Sequence, residues 1–91
     1  MLSVIIPAYN EEKCIKRAYT QIQSLLTANN IEGEFIFVDD GSKDQTYQII
    51  NELAQEKENI VGLHFSRNFG KESAISAGLA AVTGCCAVVI D

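Results

Sequence analysis

Apolar residues follow two alternating patterns along the chain. Short runs of strand type recur four times: LSVII (Leu2–Ile6), EFIFVD (Glu34–Asp39), IVGLHFS (Ile60–Ser66) and CCAVVID (Cys85–Asp91). Between them the apolar spacing changes to three and four. Ile15, Ala18, Tyr19, Ile22, Leu25 and Leu26 mark one buried helical stripe, and Ile49, Ile50, Leu53 and Ala54 a second. Ala74, Ile75, Gly78, Leu79 and Val82 mark the third. Pro7 is expected to stop the first strand, and Asn10 to cap a helix whose first turn holds Glu11 and Glu12 at the positive end of the dipole. Ser42 with Gln45 reads as a capping box for the second helix. The third helix is predicted to start near Lys71 and to end at Gly84.

Strand–helix alternation predicts βαβ units, and hence one α/β unit: a Rossmann-like parallel sheet of four strands with three crossover helices. The apolar first strand reads as central, which gives the order 3-2-1-4 with right-handed connections. Near-continuous apolar strands agree, because such strands are buried on both faces. This arrangement places every polar cluster at one edge. PAYNEE follows the first strand, DDGSKD the second and SRNFGK the third, and Asp91 closes the fourth. Carboxyl ends of parallel strands are where open sheets bind ligands.

Composition narrows the field. The chain has 91 residues, a single small domain or part of a larger one, and a net charge of −5. That charge excludes a nucleic-acid surface, which needs a basic stripe. No apolar run approaches the roughly 18 residues of a membrane span. MLSVIIPAYNEE is too short, and its flank too acidic, for a signal peptide. The expectation is a soluble, cytoplasmic chain, with a membrane anchor beyond its end left open. Cys14, Cys85 and Cys86 lack CxxC spacing and read as buried thiols. There is no GxGxxG after the first strand and no GxxxxGK[ST], so the dinucleotide and P-loop phosphate cradles are absent. A response-regulator receiver would need its acids after strands one and three, where Pro-Ala-Tyr and Ser-Arg-Asn stand instead.

Turn chemistry accounts for Gly41, Ser42 and Asp44, but a turn needs one carboxylate and Asp39–Asp40 supplies two. A carboxylate there can accept from a base N–H or ribose hydroxyls; for Asp39 the turn and ligand readings both stay open. Tyr9 can stack on a base or join the core. Glu11 suits the helix dipole as well as a ligand. Arg67 and Lys71 can pair with nearby acids or neutralise a phosphate, and the helix start after Gly70 favours an anion. His64, inside a strand, reads as a packed histidine.

Taken in order, SVIIPAYNEE, VDDGSKDQT, RNFGKESAISAGL and VVID resemble the family 2 inverting glycosyltransferases with a GT-A fold. The third block is most similar to the branch acting on polyprenyl phosphates, such as dolichol- or undecaprenyl-phosphate. The resemblance covers the whole chain and implies the nucleotide-binding N-terminal half of a GT-A domain, cut at the first acid of a DxD motif. It implies that Pro7, Ala8, Tyr9 and Glu11 line a nucleotide pocket, that Asp40 holds the base with Asp39 nearby, and that Arg67 and Lys71 pass the nucleotide and diphosphate. Asp91 would bind Mg²⁺ or Mn²⁺. The implied reaction is sugar transfer from a UDP- or GDP-linked donor to a lipid phosphate or glycan acceptor, by one displacement. The implied whole protein can sit at the cytoplasmic face of a membrane, and the fragment alone is expected to be inactive. A non-catalytic nucleotide-binding or signalling module of flavodoxin-like topology is the alternative. CCAVVI reads as an interior strand whose flank truncation leaves unpaired, and self-association through that flank is expected.

Overall fold

The computed structural model describes residues 1–90. It contains β1 (Leu2–Ala8), α1 (Ile15–Ala28), β2 (Gly33–Asp39), α2 (Thr46–Glu56), β3 (Ile60–His64), α3 (Lys71–Ala80) and β4 (Cys86–Val89). All strand pairs are parallel and the sheet order is β3-β2-β1-β4, as the pattern predicts. A flavodoxin-like sheet would set the third strand beside the first. Here β4 takes that place, so the alternative topology is not the one formed.

Alternation along the strands divides the core into two layers. Val4, Ile6, Ala8, Phe35 and Phe37 face α1 and α2, where Ile15, Tyr19, Leu26, Ile50 and Leu53 meet them. Ile5, Ile36 and Val38 face the other way, toward Ala74 of α3. Phe35 carries the edge of Tyr19 at a centroid distance of 4.7 Å. Gly78 lets α3 lie close: a Cβ there would stand 2.5 Å from Cγ2 of Ile5. Because β1 and β2 run in register from Leu2–Gly33 to Ala8–Asp39, they end level. That common end carries the polar loops.

The structure departs from the sequence expectations in several places. Pro7 does not stop β1; it pairs with Val38 inside the strand. Ile5 accepts from Ile90 N–H on the β4 flank, so Pro7, two residues on, turns its missing N–H to that same flank, beyond the last paired residue of β1 and β4. Both capped helices start late: α1 at Ile15 and α2 at Thr46, with no side-chain cap from Asn10 or Ser42. α3 starts at Lys71 as expected but ends at Ala80, and Leu79, like Leu25 of α1, faces solvent rather than the core. The three cysteines are exposed thiols, not buried ones, because Cys14 precedes α1 and Cys85 and Cys86 stand at the edge strand. Among the described residues no helix is long and apolar enough to cross a membrane.

Candidate nucleotide site

Three loops leave the carboxyl ends of β1, β2 and β3, and hydrogen bonds lock them together. Asn10 adopts a left-handed φ of 53°, which Asn tolerates better than most residues. Its N–H donates to Ser42 Oγ (2.8 Å), while its Oδ1 accepts from Lys43 N–H (2.8 Å). Glu11 N–H donates to Thr46 Oγ1 (2.8 Å), and Glu12 N–H to Asp44 Oδ2 (3.4 Å). The fully buried Thr46 hydroxyl in turn donates to Asp44 Oδ1. These bonds explain the late helix starts: the expected capping side chains serve the neighbouring loop instead. Desolvation pushes the Asp44 carboxyl up, but the hydroxyl and N–H of Thr46 and the N–H of Glu12 outweigh it and hold it below the ordinary carboxylate range.

Asp40 joins the third loop. Its Oδ1 accepts from Phe69 N–H (2.8 Å), and its Oδ2 from Asn68 Nδ2 and Gly70 N–H (both 3.1 Å). The side chain is only 4 % exposed. Sequence reasoning placed an incoming anion at the start of α3; the anion found there is Asp40 itself. Gly41 makes this possible. Its φ is +73°, and a Cβ would meet backbone atoms of Arg67 and Asn68 at 2.1 and 2.4 Å. Only glycine lets the second and third loops touch.

Six of the eight expected nucleotide-site residues come together. Pro7, Ala8, Tyr9, Glu11, Asp40 and Lys71 line a single cleft of about 120 Å³. That is below the ~300–1,000 Å³ of complete ligand pockets. Tyr9 is 40 % exposed at its rim, free to offer a ring face. Arg67 does not line the cleft; its guanidinium lies over the Phe69 ring, 4.6 Å from the centroid. Asp39 stands behind it, fully buried, taking Ser42 N–H on Oδ1 (3.2 Å) and His64 Nδ1 on Oδ2 (2.7 Å). Asp91, the expected metal ligand, lies outside the described residues. Among the described residues no three His, Cys, Asp or Glu side chains gather to hold a metal.

The sequence reading missed Asn68, Thr46 and the partner of His64. Their contacts join residues 28, 35 and 25 positions apart, which no local pattern reports. The Asp-Asp pair itself was the available signal, since two adjacent buried carboxylates demand donors from elsewhere.

A parallel sheet of this order, with interlocked polar loops at its carboxyl end and no phosphate-binding glycine loop, defines an α/β unit with a Rossmann-like sheet. The chain belongs to glycosyl transferase family 2, whose sequence profile matches residues 3–91. It is 42% identical over 90 residues to the prophage bactoprenol glucosyl transferase homolog of Escherichia coli, covering 99% of this chain and 29% of that protein. The bactoprenol glucosyl transferase of Shigella phage SfX is also 42% identical, with 99% and 30% covered. Among solved structures, a mannosyltransferase from Pyrobaculum calidifontis in complex with GDP-Man and Mn²⁺ superposes with a TM-score of 0.77 at 25% identity, covering 91% of this chain and 24% of that one. The chain thus spans about three-tenths of the length of the relatives it matches.

Proposed function

We propose that the whole protein transfers a sugar from a nucleoside-diphosphate sugar to a polyprenyl phosphate, with inversion at the anomeric carbon, and that this chain is its N-terminal nucleoside-binding portion. The observation that carries the reading is the cleft itself. It sets a nearly buried carboxylate (Asp40), an exposed aromatic ring (Tyr9) and a cationic side chain (Lys71) around one space. A carboxylate accepts from base N–H or ribose hydroxyl groups, a ring stacks on a base, and an ammonium offsets phosphate charge. Relatives named for bactoprenol glucosyl transfer support the lipid acceptor, and the neighbour bound to GDP-Man supports the nucleotide-sugar donor. The same neighbour's Mn²⁺ supports a divalent ion, Mg²⁺ or Mn²⁺, which would steady the departing diphosphate as a Lewis acid. The described residues do not supply its site, since no three of their His, Cys, Asp or Glu side chains gather to hold a metal. Asp91 is this chain's one candidate ligand, and hard cations want several oxygens, so further ligands must come from elsewhere. The reading also includes a cytoplasmic catalytic face and self-association through β4.

Calorimetric titration of the full-length protein with uridine and guanosine diphosphates tests the donor site. Asp40→Asn keeps an oxygen for the α3 loop but removes the charge, and is expected to weaken binding about tenfold. Glu58→Gln, at the opposite end of the sheet, should bind like the wild type. Equal affinities for Asp40→Asn and Glu58→Gln would remove Asp40 from the pocket.

A further inference from the structure

We propose that His64 is a positioning residue of the nucleotide pocket, acting through Asp39. The inference rests on the donor-site reading above. His64 is not the packed core histidine its sequence position suggests: its side chain is 43 % exposed, and one ring face stacks on Tyr47 at 4.1 Å. Its Nδ1 lies 2.7 Å from Oδ2 of Asp39, a carboxylate with no exposure. With the carboxylate ionised, Nδ1 carries the hydrogen and donates.

From this contact a chain of bonds reaches the cleft. Asp39 Oδ1 takes the N–H of Ser42, Ser42 Oγ takes the N–H of Asn10, and Asn10 lies between Tyr9 and Glu11 on the cleft wall. Among the described residues the Asp39 carboxylate takes two hydrogen bonds, and His64 supplies one of the two. A buried carboxylate that loses a donor turns toward another or draws in water. Turning releases Ser42, and Ser42 holds the backbone between the two residues that meet the ligand. Asp39 therefore contributes from behind the wall, through its grip on the loops. His64 sets that grip.

Three variants separate hydrogen bonding from packing. In Asn the amide nitrogen is bonded to Cγ, as Nδ1 is in His, so His64→Asn can still donate to Asp39. His64→Leu puts a methyl at that place, and His64→Gln carries its amide one bond farther out. Full-length wild type and variants are titrated calorimetrically with uridine and guanosine diphosphates. Backbone amide exchange at Asn10 and Glu11 is followed without ligand.

His64→Leu is expected to weaken the bound nucleotide about tenfold and to speed both amides, while His64→Asn stays within about threefold of wild type. His64→Gln should resemble His64→Leu, and stands in for it should the leucine variant not fold. Wild-type affinity and exchange in both His64→Leu and His64→Gln would overturn the proposal, as would a His64→Asn variant as weak as His64→Leu. A wild type that binds neither nucleotide would overturn the donor-site reading itself, and this proposal with it. That result is distinguishable because it appears before any variant is compared.

Discussion

Gly41→Ala should be among the most damaging single-methyl additions in this chain. Two effects combine. At φ +73° an L-residue carries backbone strain of about 1–2 kcal/mol. The added Cβ would also lie 2.1 Å from the carbonyl carbon of Arg67, where ordinary contact begins at 3.4 Å. Backbone on both sides leaves no side chain to swing away, so the second and third loops must part by more than 1 Å. Such a shift stretches the bonds from Phe69 and Gly70 N–H to Asp40, at 2.8 and 3.1 Å. Bonds to a charged acceptor are each worth about 1.5–3 kcal/mol, so losing one brings the total to roughly 3–5 kcal/mol. Gly70→Ala provides the comparison. Its φ of +106° also strains an alanine, by about 1–3 kcal/mol, but no atom lies within 4 Å of the new Cβ. Urea unfolding of the two variants, read by circular dichroism, isolates the clash. Should Gly41→Ala cost no more than Gly70→Ala, the loops do not touch as described and the account of the Asp-Asp-Gly motif fails.

Two further outcomes are expected. The Thr83 hydroxyl, with Ser3 and the Thr83 N–H, holds Glu34 below its ordinary carboxylate value of 4.5. A depressed carboxylate contributes stability that is present above the unfolded value and is lost as pH falls through the folded one. Wild type should therefore lose more denaturant resistance than Glu34→Gln between about pH 5 and pH 3, and parallel acid limbs would refute the assignment. At the sheet edge, Val88, Val89 and Ile90 are all exposed, and among the described residues β4 has one unpaired flank, which can take a second copy. Sedimentation equilibrium of the 91-residue chain should show a dimer that Val88→Lys dissociates; a monomeric chain would end that proposal.

How much of this was legible in the sequence depends on the range of the contact concerned. Strand order and the two-layer core follow from apolar runs such as IFV, whose side chains must be covered on both sides. The placement of the polar clusters at one edge follows from that topology. The start of α3 was legible because Gly70 immediately precedes it. Helix starts near Asn10 and Ser42 were misplaced because a capping side chain and a loop-bridging side chain look alike until the partner is known. The exposed cysteines were missed for a related reason: CCAVVI carries the composition of an interior strand, yet β4 stands at an edge. For Asp39 and Asp40, the residue pair signalled a site. Which acid lines the cleft and which lies outside its lining depended on donors supplied by β3 and the loop after it.

The position of β1 has a consequence for how the chain is made. β1 is an inner strand that leaves the ribosome before the other three strands, yet its neighbours are β2, some thirty residues later, and β4, at Cys86–Val89. Until both arrive, Val4, Ile5 and Ile6 have no completed sheet to enter. Pairings so distant along the chain are slow to close and leave apolar strand edges open meanwhile. The nascent polypeptide thus carries an apolar strand with open edges until its partners emerge, and the acidic PAYNEE and DDGSKD stretches set charge directly beside β1 and β2.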